Sequence, residues 1–151
     1  MIIKLDKPEA GRSAIILKDD NGNEFYGILS ATQDVAWEFV NAFKLYVSEG
    51  QQVAVTFDEV DTEFTIVCSE CHIYVIIDRD ELSVVRIKIS SKDFIKGVLA
   101  EITENLDAWA SCSINSSEDT EESGRPILSH KMQLSHYTNY ILHCLYKESA
   151  K

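Results

Sequence analysis

Apolar residues follow two different periods along this chain, and the order of those periods restricts the folds that it can adopt. Alternating apolar residues mark strands, whereas apolar residues three or four positions apart mark one face of a helix. The segments read in the order ββαββββαα. This order predicts an α+β fold in which an antiparallel meander sheet of about six strands packs with two to three helices. The length of 151 residues is that of one ordinary domain, so residues 1–151 are expected to form a single domain.

The first two strands are predicted to form a hairpin. The apolar residues of 14–17 are followed by a turn that contains Asn21 and Gly22, and this dipeptide accepts the positive φ angles of a tight turn. The return strand, 24–29, has Phe25, Gly27 and Leu29 on one face.

Four further strands are predicted at 52–57, 63–68, 72–77 and 82–89. The third of them is apolar on both faces, which indicates a central strand that is covered on both sides. The last alternates apolar with polar residues, so one of its faces should contact solvent. Short polar connections favour an antiparallel meander.

Three segments have helical spacing. The first has its apolar face at Ala36, Phe39, Val40, Phe43 and Val47. Ser30 or Thr32 is expected to cap its start, with Asp34 in the first turn and Gly50 after its end.

The second helical segment begins at the capping pair Ser90 and Asp93, and its apolar face is Ile95, Val98, Leu99, Ile102, Leu106 and Trp109. The third is marked by Leu134, Tyr137, Ile141, Cys144 and Leu145. Between the last two, residues 113–124 are polar and acidic and are predicted to be a mobile loop.

Negative charge is the most unusual total of the chain. Asp and Glu number 25 against 14 Lys and Arg, which gives a net charge of −11. Such a field repels phosphate and anionic lipid, so neither nucleic acid nor a membrane is expected as a direct partner. A basic protein would be attracted, although solubility alone also accounts for an acidic surface.

No signal peptide or membrane span is recognisable, so the chain is expected to be cytoplasmic and its cysteines reduced.

Cys68, Cys71 and His72 form the sharpest local motif, C-x-x-C-H. The motif formally matches covalent haem attachment, and the cysteine pair is half of a tetrahedral zinc site. Haem attachment does not fit a chain without an export signal. Zinc would need two more ligands, and the adjacent His143 and Cys144 would point about 100° apart on a helix. No cofactor is therefore expected, with Cys68 in the core and Cys71 in a turn, and these three residues remain the alternative metal ligands.

Motifs for nucleophilic catalysis and phosphate binding are absent from the sequence. It contains no G-x-S-x-G, no G-x-x-x-x-G-K-[ST] and no G-x-G-x-x-G. No catalytic residue is assigned, and the protein is not expected to be an enzyme.

Acidic residues gather in two of the predicted turns, one between the third and fourth strands and one between the fifth and sixth. Alternate turns of a meander lie at the same end of the sheet, so these two should converge. Their acids would form one partner-binding rim, in which Arg79 is the only base: Asp58, Glu59, Asp61, Glu63, Asp78, Asp80 and Glu81. Such a rim would steer a basic protein into place. Solvated hairpin tips are the alternative interpretation.

Several segments of the chain resemble a known family type. They are the opening Ile2-Ile3-Lys4-Leu5, the helix that bears Trp37, the strands 53–57 and 64–68, and the strand 85–89 with its following helix. In size, acidity and element order they resemble immunity proteins of bacterial toxin systems, including the WapI-like group of contact-dependent inhibition. The resemblance implies a non-catalytic antitoxin that binds the C-terminal domain of a cognate toxin, often a nuclease, and occludes its active or substrate-binding surface. Tight binding would also need an aromatic or aliphatic anchor near the rim. A protein-binding adaptor that uses an apolar helix face is the alternative function, followed by a small metal-binding or enzymatic domain.

Overall fold

Seven strands and four helices form in the described residues of the computed structural model, which are 1–30, 34–59, 62–116 and 127–149. The strands are β1 (Ile2–Leu5), β2 (Arg12–Lys18), β3 (Glu24–Ser30), β4 (Ala54–Glu59), β5 (Thr62–Cys68), β6 (Ile73–Asp78) and β7 (Leu82–Ile87). The helices are α1 (Val35–Glu49), α2 (Ser91–Glu104), α3 (Leu106–Ser116) and α4 (Ile127–Ser149). The predicted α+β class is confirmed.

The expectation of one meander sheet of about six strands is wrong: the strands divide between two antiparallel sheets, β1-β2-β3 and β4-β5-β6-β7, because the chain passes through α1 after β3 and β3 is not hydrogen-bonded to β4. The predicted hairpin is confirmed: β2 pairs with β3, and Gly22 in the turn between them has a φ of 88°. β1 is an additional strand that pairs with β2, with Leu5 opposite Ile15. Four residues are too few for a strand period to be recognised, so only the pairing partner reveals it.

The predicted face of α1 is buried, and it brings aromatic rings from three elements together. The ring of Phe39 lies 5.2 Å from that of Phe57 on β4 and 6.1 Å from that of Phe94 on α2. The start of the helix differs from expectation, since its N-cap is Asp34 and not Ser30 or Thr32. The Asp34 carboxylate accepts a hydrogen bond from the Trp37 amide, and a negative charge also favours the positive end of the helix dipole. Gly50 ends the helix in the left-handed conformation, as predicted.

The second predicted helix is two helices. Ser90 caps α2 by accepting from the Asp93 amide, which confirms the capping pair. The helix ends at Asn105, whose side-chain amide donates to the Glu101 carbonyl, and α3 then carries the buried Trp109. Asn competes for backbone hydrogen bonds and therefore favours helix ends. α3 continues to Ser116, so residues 113–116 of the predicted loop are helical, while 117–124 lie outside the described residues.

The strand predicted to be covered on both sides is covered on one. In β6, Ile73 and Val75 are buried, whereas Tyr74 and Ile76 are only half-buried. In β7, Ile87 is buried while Val84 and Arg86 are exposed, as its alternation predicted. The four-stranded sheet therefore has an inner face in the core and an outer face that contacts solvent.

Candidate functional site

The two acidic turns lie at the same end of the four-stranded sheet. Glu59 pairs with Thr62 across the first turn, and Asp78 pairs with Leu82 across the second. Because the start of β5 pairs with the end of β6, both turns lie at the same end of the sheet. The geometric expectation behind the rim is thus met.

Three rim acids stand directly opposite one another on neighbouring strands. Asp58 on β4 is opposite Glu63 on β5, and Glu63 is opposite Asp78 on β6. Opposite side chains in an antiparallel sheet have Cβ atoms about 5 Å apart and share a face. We call these three residues the carboxylate row; each of them is exposed, on the outer face of the sheet.

Electrostatic coupling in the carboxylate row is concentrated at its centre. A hydrogen bond with Asp58 and the charge of Asp58 raise the pKa of Glu63, and the charge of Asp78 adds to the effect. A raised carboxyl pKa means that the neighbours disfavour the ionised form. The ionised form of Glu63 is therefore less stable in the row than it would be without its two acidic neighbours.

The other rim residues lie around the row. Asp80, Glu81 and Arg79 are exposed in the turn between β6 and β7. Glu59 ends β4, where its backbone pairs with Thr62, and Asp61 lies outside the described residues. Of the seven predicted rim acids, the structure therefore describes five side chains, all of them exposed at this end of the sheet: Asp58, Glu63, Asp78, Asp80 and Glu81.

Apolar surface borders the row on the outer face of the sheet. Leu82, opposite Asp78, is 69% exposed, and Val84 is 57% exposed. Val84 is opposite the half-buried Ile76 in the next row of side chains. A partner that contacts the carboxylates from this side would also cover aliphatic groups.

The alternative metal ligands are directed to different environments. The Cys68 side chain is in the core, where burial raises the pKa of its thiol to about 12, and Cys71 is exposed. His72 Nε2 lies 3.0 Å from Nη2 of Arg86. A thiolate, not a thiol, ligates zinc, so a core thiol is a poor ligand. Among the residues that the structure describes, no three His, Cys, Asp or Glu side chains could hold a metal ion together.

A cavity of about 320 Å³ lies beside the rim, and sequence patterns did not predict it. Tyr26 and Ile28 line it from β3, Phe64 and Ile77 line it from the four-stranded sheet, and Arg79 borders it. The one local signal is Gly27. A Cβ atom there would lie 2.8 Å from ring carbons of Phe25 and 3.0 Å from Cζ of Phe64. A glycine inside a strand indicates such a close approach.

Asp19 is an acidic residue that has a structural role. Its carboxylate accepts hydrogen bonds from the amides of Lys88, Asn23 and Asn21, and it is 3% exposed. The Lys88 bond, followed by those from Asn23 and Asn21, lowers the pKa of Asp19 to about 2 against the opposing effect of desolvation. This residue fastens the β2–β3 turn to the segment after β7.

Comparison of the chain with protein-family models, with curated proteins and with solved structures gives no match. In the described part of the chain, no helix is both long and apolar enough to cross a bilayer. The geometry of the site therefore carries the functional conclusion.

Proposed function

We propose that this protein is an immunity protein that binds the C-terminal domain of a cognate, basic, nuclease-type bacterial toxin and occludes its active or substrate-binding surface. The observation that carries the proposal is the carboxylate row of Asp58, Glu63 and Asp78. Like charges directly opposite one another destabilise a sheet. Local features that oppose folding are typical of functional surfaces, and cations of a partner would relieve this one.

The chemistry of the row suits the binding of Arg and Lys. A carboxylate accepts two parallel hydrogen bonds from a guanidinium group, and such charge-assisted bonds are stronger than neutral ones. A nuclease surface that binds phosphate is rich in these cations, so an acidic rim could take the place of the substrate backbone. The net charge of −11 would increase the rate of encounter with such a surface.

The proposal includes a cytoplasmic location, where a nuclease toxin would meet its substrate, and a role without catalysis. It requires neither a cofactor nor direct contact with nucleic acid or a membrane. Neutralisation would come from steric and electrostatic occlusion alone.

The proposal is tested by association kinetics with a catalytically inactive toxin domain. The toxin domain to use is the variable C-terminal domain of a large secreted protein, if the gene immediately upstream encodes one. In the rim variant, Asp58→Lys, Asp78→Lys and Asp80→Lys are combined. We expect its association rate to fall at least about tenfold at low salt, with a flatter dependence on NaCl between about 50 and 500 mM.

The matched control reverses three exposed helical acids, Glu38→Lys, Glu49→Lys and Glu104→Lys, and so changes the net charge by the same amount. It should slow association far less than the rim variant. Equal association rates for the two variants would remove the rim from the interface. The absence of any complex with the wild-type chain would reject that toxin domain as the partner.

An adaptor that binds another protein through a helix is the second candidate. Met132 and Tyr146 on α4 are 64% and 61% exposed, and their spacing of fourteen residues puts them on one face of that helix. Partner binding that survives high salt and is lost in Met132→Asp would favour this function over the first.

A further inference from the structure

The cavity beside the rim is a second open surface at the same end of the four-stranded sheet. Tyr26 and Ile28, on β3, are 63% and 45% exposed, so its outer wall is accessible. Its inner wall is Phe64, whose ring packs edge-on against Phe25 with centroids 5.1 Å apart. Buried rings therefore form a firm base under an open mouth.

The cavity and the carboxylate row are joined through consecutive residues. Phe64 follows Glu63 in β5, and Ile77 precedes Asp78 in β6. Successive strand residues point to opposite faces, so the cavity lies on the inner side of the sheet end and the row on the outer side. The β6–β7 turn, with Arg79 and Asp80, separates them. A partner segment that crosses this turn would contact both.

Resting on the function proposed above, we propose that the cavity binds an aromatic side chain of the same basic partner, while the rim acids bind flanking Lys or Arg residues. The volume of about 320 Å³ is near the lower end of ligand pockets, which suits one large side chain.

The lining favours an aromatic over an aliphatic occupant. Tyr26 is 63% exposed and can make an edge-to-face contact with another ring, and the buried Phe25 and Phe64 also line the cavity. Arg79 at the border can stack on the face of an aromatic ring, so its positive charge need not oppose a basic partner. Aromatic anchors in a pocket, surrounded by charged contacts, are typical energetic centres of protein interfaces.

Two synthetic peptides of identical Lys and Arg content test the inference, one with Trp at its centre and one with Ala. Each is titrated against the full chain by fluorescence polarisation, with methyl NMR shifts of Ile28 and Ile77 as the reporter of position. We expect the Trp peptide to bind at least about tenfold more tightly and to shift both methyl signals.

The cavity variants are Tyr26→Ala and, independently, Ile28→Asp, and both should remove the preference for Trp. Tyr146→Ala is the matched control, because Tyr146 has nearly the same exposure, 61% against 63% for Tyr26. It should leave the preference intact. The rim variant should weaken both peptides by the same factor.

Each of the other possible outcomes would reject a specific part of the proposed binding site. Equal, salt-dependent affinity for both peptides, or a preference for Trp without shifts at Ile28 and Ile77, would overturn the cavity while the rim stands. A Trp preference that depends on Tyr26, with overall affinity unchanged in the rim variant, would overturn the acidic rim and keep the cavity. Failure of both peptides to bind would reject both.

Discussion

Two carboxylates, Asp19 and Glu63, illustrate how neighbouring groups set the chemistry of a side chain. Asp19 is surrounded by hydrogen-bond donors, which stabilise its ionised form and lower its pKa to about 2. Glu63 stands between Asp58 and Asp78, and its pKa is raised by a hydrogen bond with Asp58 and by the negative charges of both neighbours. Asp19 stabilises the fold, whereas Glu63 adds negative charge to the surface and destabilises the fold.

Asp19→Asn should destabilise the protein at neutral pH, since an amide would bring an N–H group against the donors of Lys88 and Asn23. Because the pKa of Asp19 is lowered in the folded wild-type protein, its ionised carboxylate contributes its full stabilisation above pH 3.8, the usual pKa of this group. That stabilisation is lost as the pH falls through about 2. Urea unfolding at neutral and at acidic pH measures both effects. The control is Asp20→Asn, in the same turn, whose side chain is 90% exposed. Equal urea midpoints for the two variants would refute the anchoring role of Asp19.

Glu63→Gln should have the opposite effect on stability. Removal of the central charge relieves its repulsion with Asp58 and Asp78, so the urea midpoint at neutral pH should rise. Because the pKa of Glu63 is raised, the wild-type protein gains stability as the pH falls through that value, somewhere above 4.5, and the two proteins should converge there. Glu104→Gln, at an exposed helical site, should leave the midpoint nearly unchanged. A lower midpoint for Glu63→Gln would show that the row stabilises the sheet.

The contact between α2 and β1 depends on Gly97. A Cβ atom at this position would lie 2.7 Å from Cγ2 of Ile3, well inside the normal contact distance. Helix and strand therefore approach more closely than any residue with a side chain would permit.

Gly97→Ala should therefore destabilise the protein by about 1–3 kcal/mol through overpacking. Without the contact to Ile3, the same change inside a helix would stabilise by about 0.5–1 kcal/mol. Urea unfolding of Gly97→Ala, of Ile3→Ala and of the double variant separates the two effects. Ile3→Ala keeps the Cβ atom that lies 2.9 Å from the added position, so the double variant should be only partly relieved, yet more stable than the sum of the single changes implies. Simple additivity would contradict the contact.

Elements with a strong local period were predictable, and features that depend on contacts between elements were not. The hairpin around Asn21 and Gly22 and the buried face of α1 follow from spacing alone. β1 and the break at Asn105 have weak local signals, and the coverage of β6 depends on which layer lies over it. The carboxylate row could be anticipated because strand order alone brings its turns together. The cavity could not, because it requires β3 to approach Phe64 and Ile77 from the other sheet.

The net negative charge of the protein acts on stability and on binding in opposite directions. The excess of 25 acidic over 14 basic residues repels itself within the folded protein, and this repulsion is weaker in the extended chain. The same excess would attract a basic partner from a distance. Salt screens both effects over about 10 Å at 0.1 M.

Sodium chloride should therefore stabilise the free protein while it weakens the complex. We expect the thermal midpoint of the free chain to rise by a few degrees, about 2–4 °C for a change near 1 kcal/mol in a chain of this size, between about 50 and 500 mM NaCl. The rim variant, whose net charge is less negative by six because three acids become three lysines, should show a smaller rise. Over the same range, its affinity for the toxin domain should vary less than that of the wild-type protein. Complexes that strengthen with salt would indicate an interface dominated by apolar contacts, such as the exposed face of α4, and would transfer the binding role from the rim to that helix.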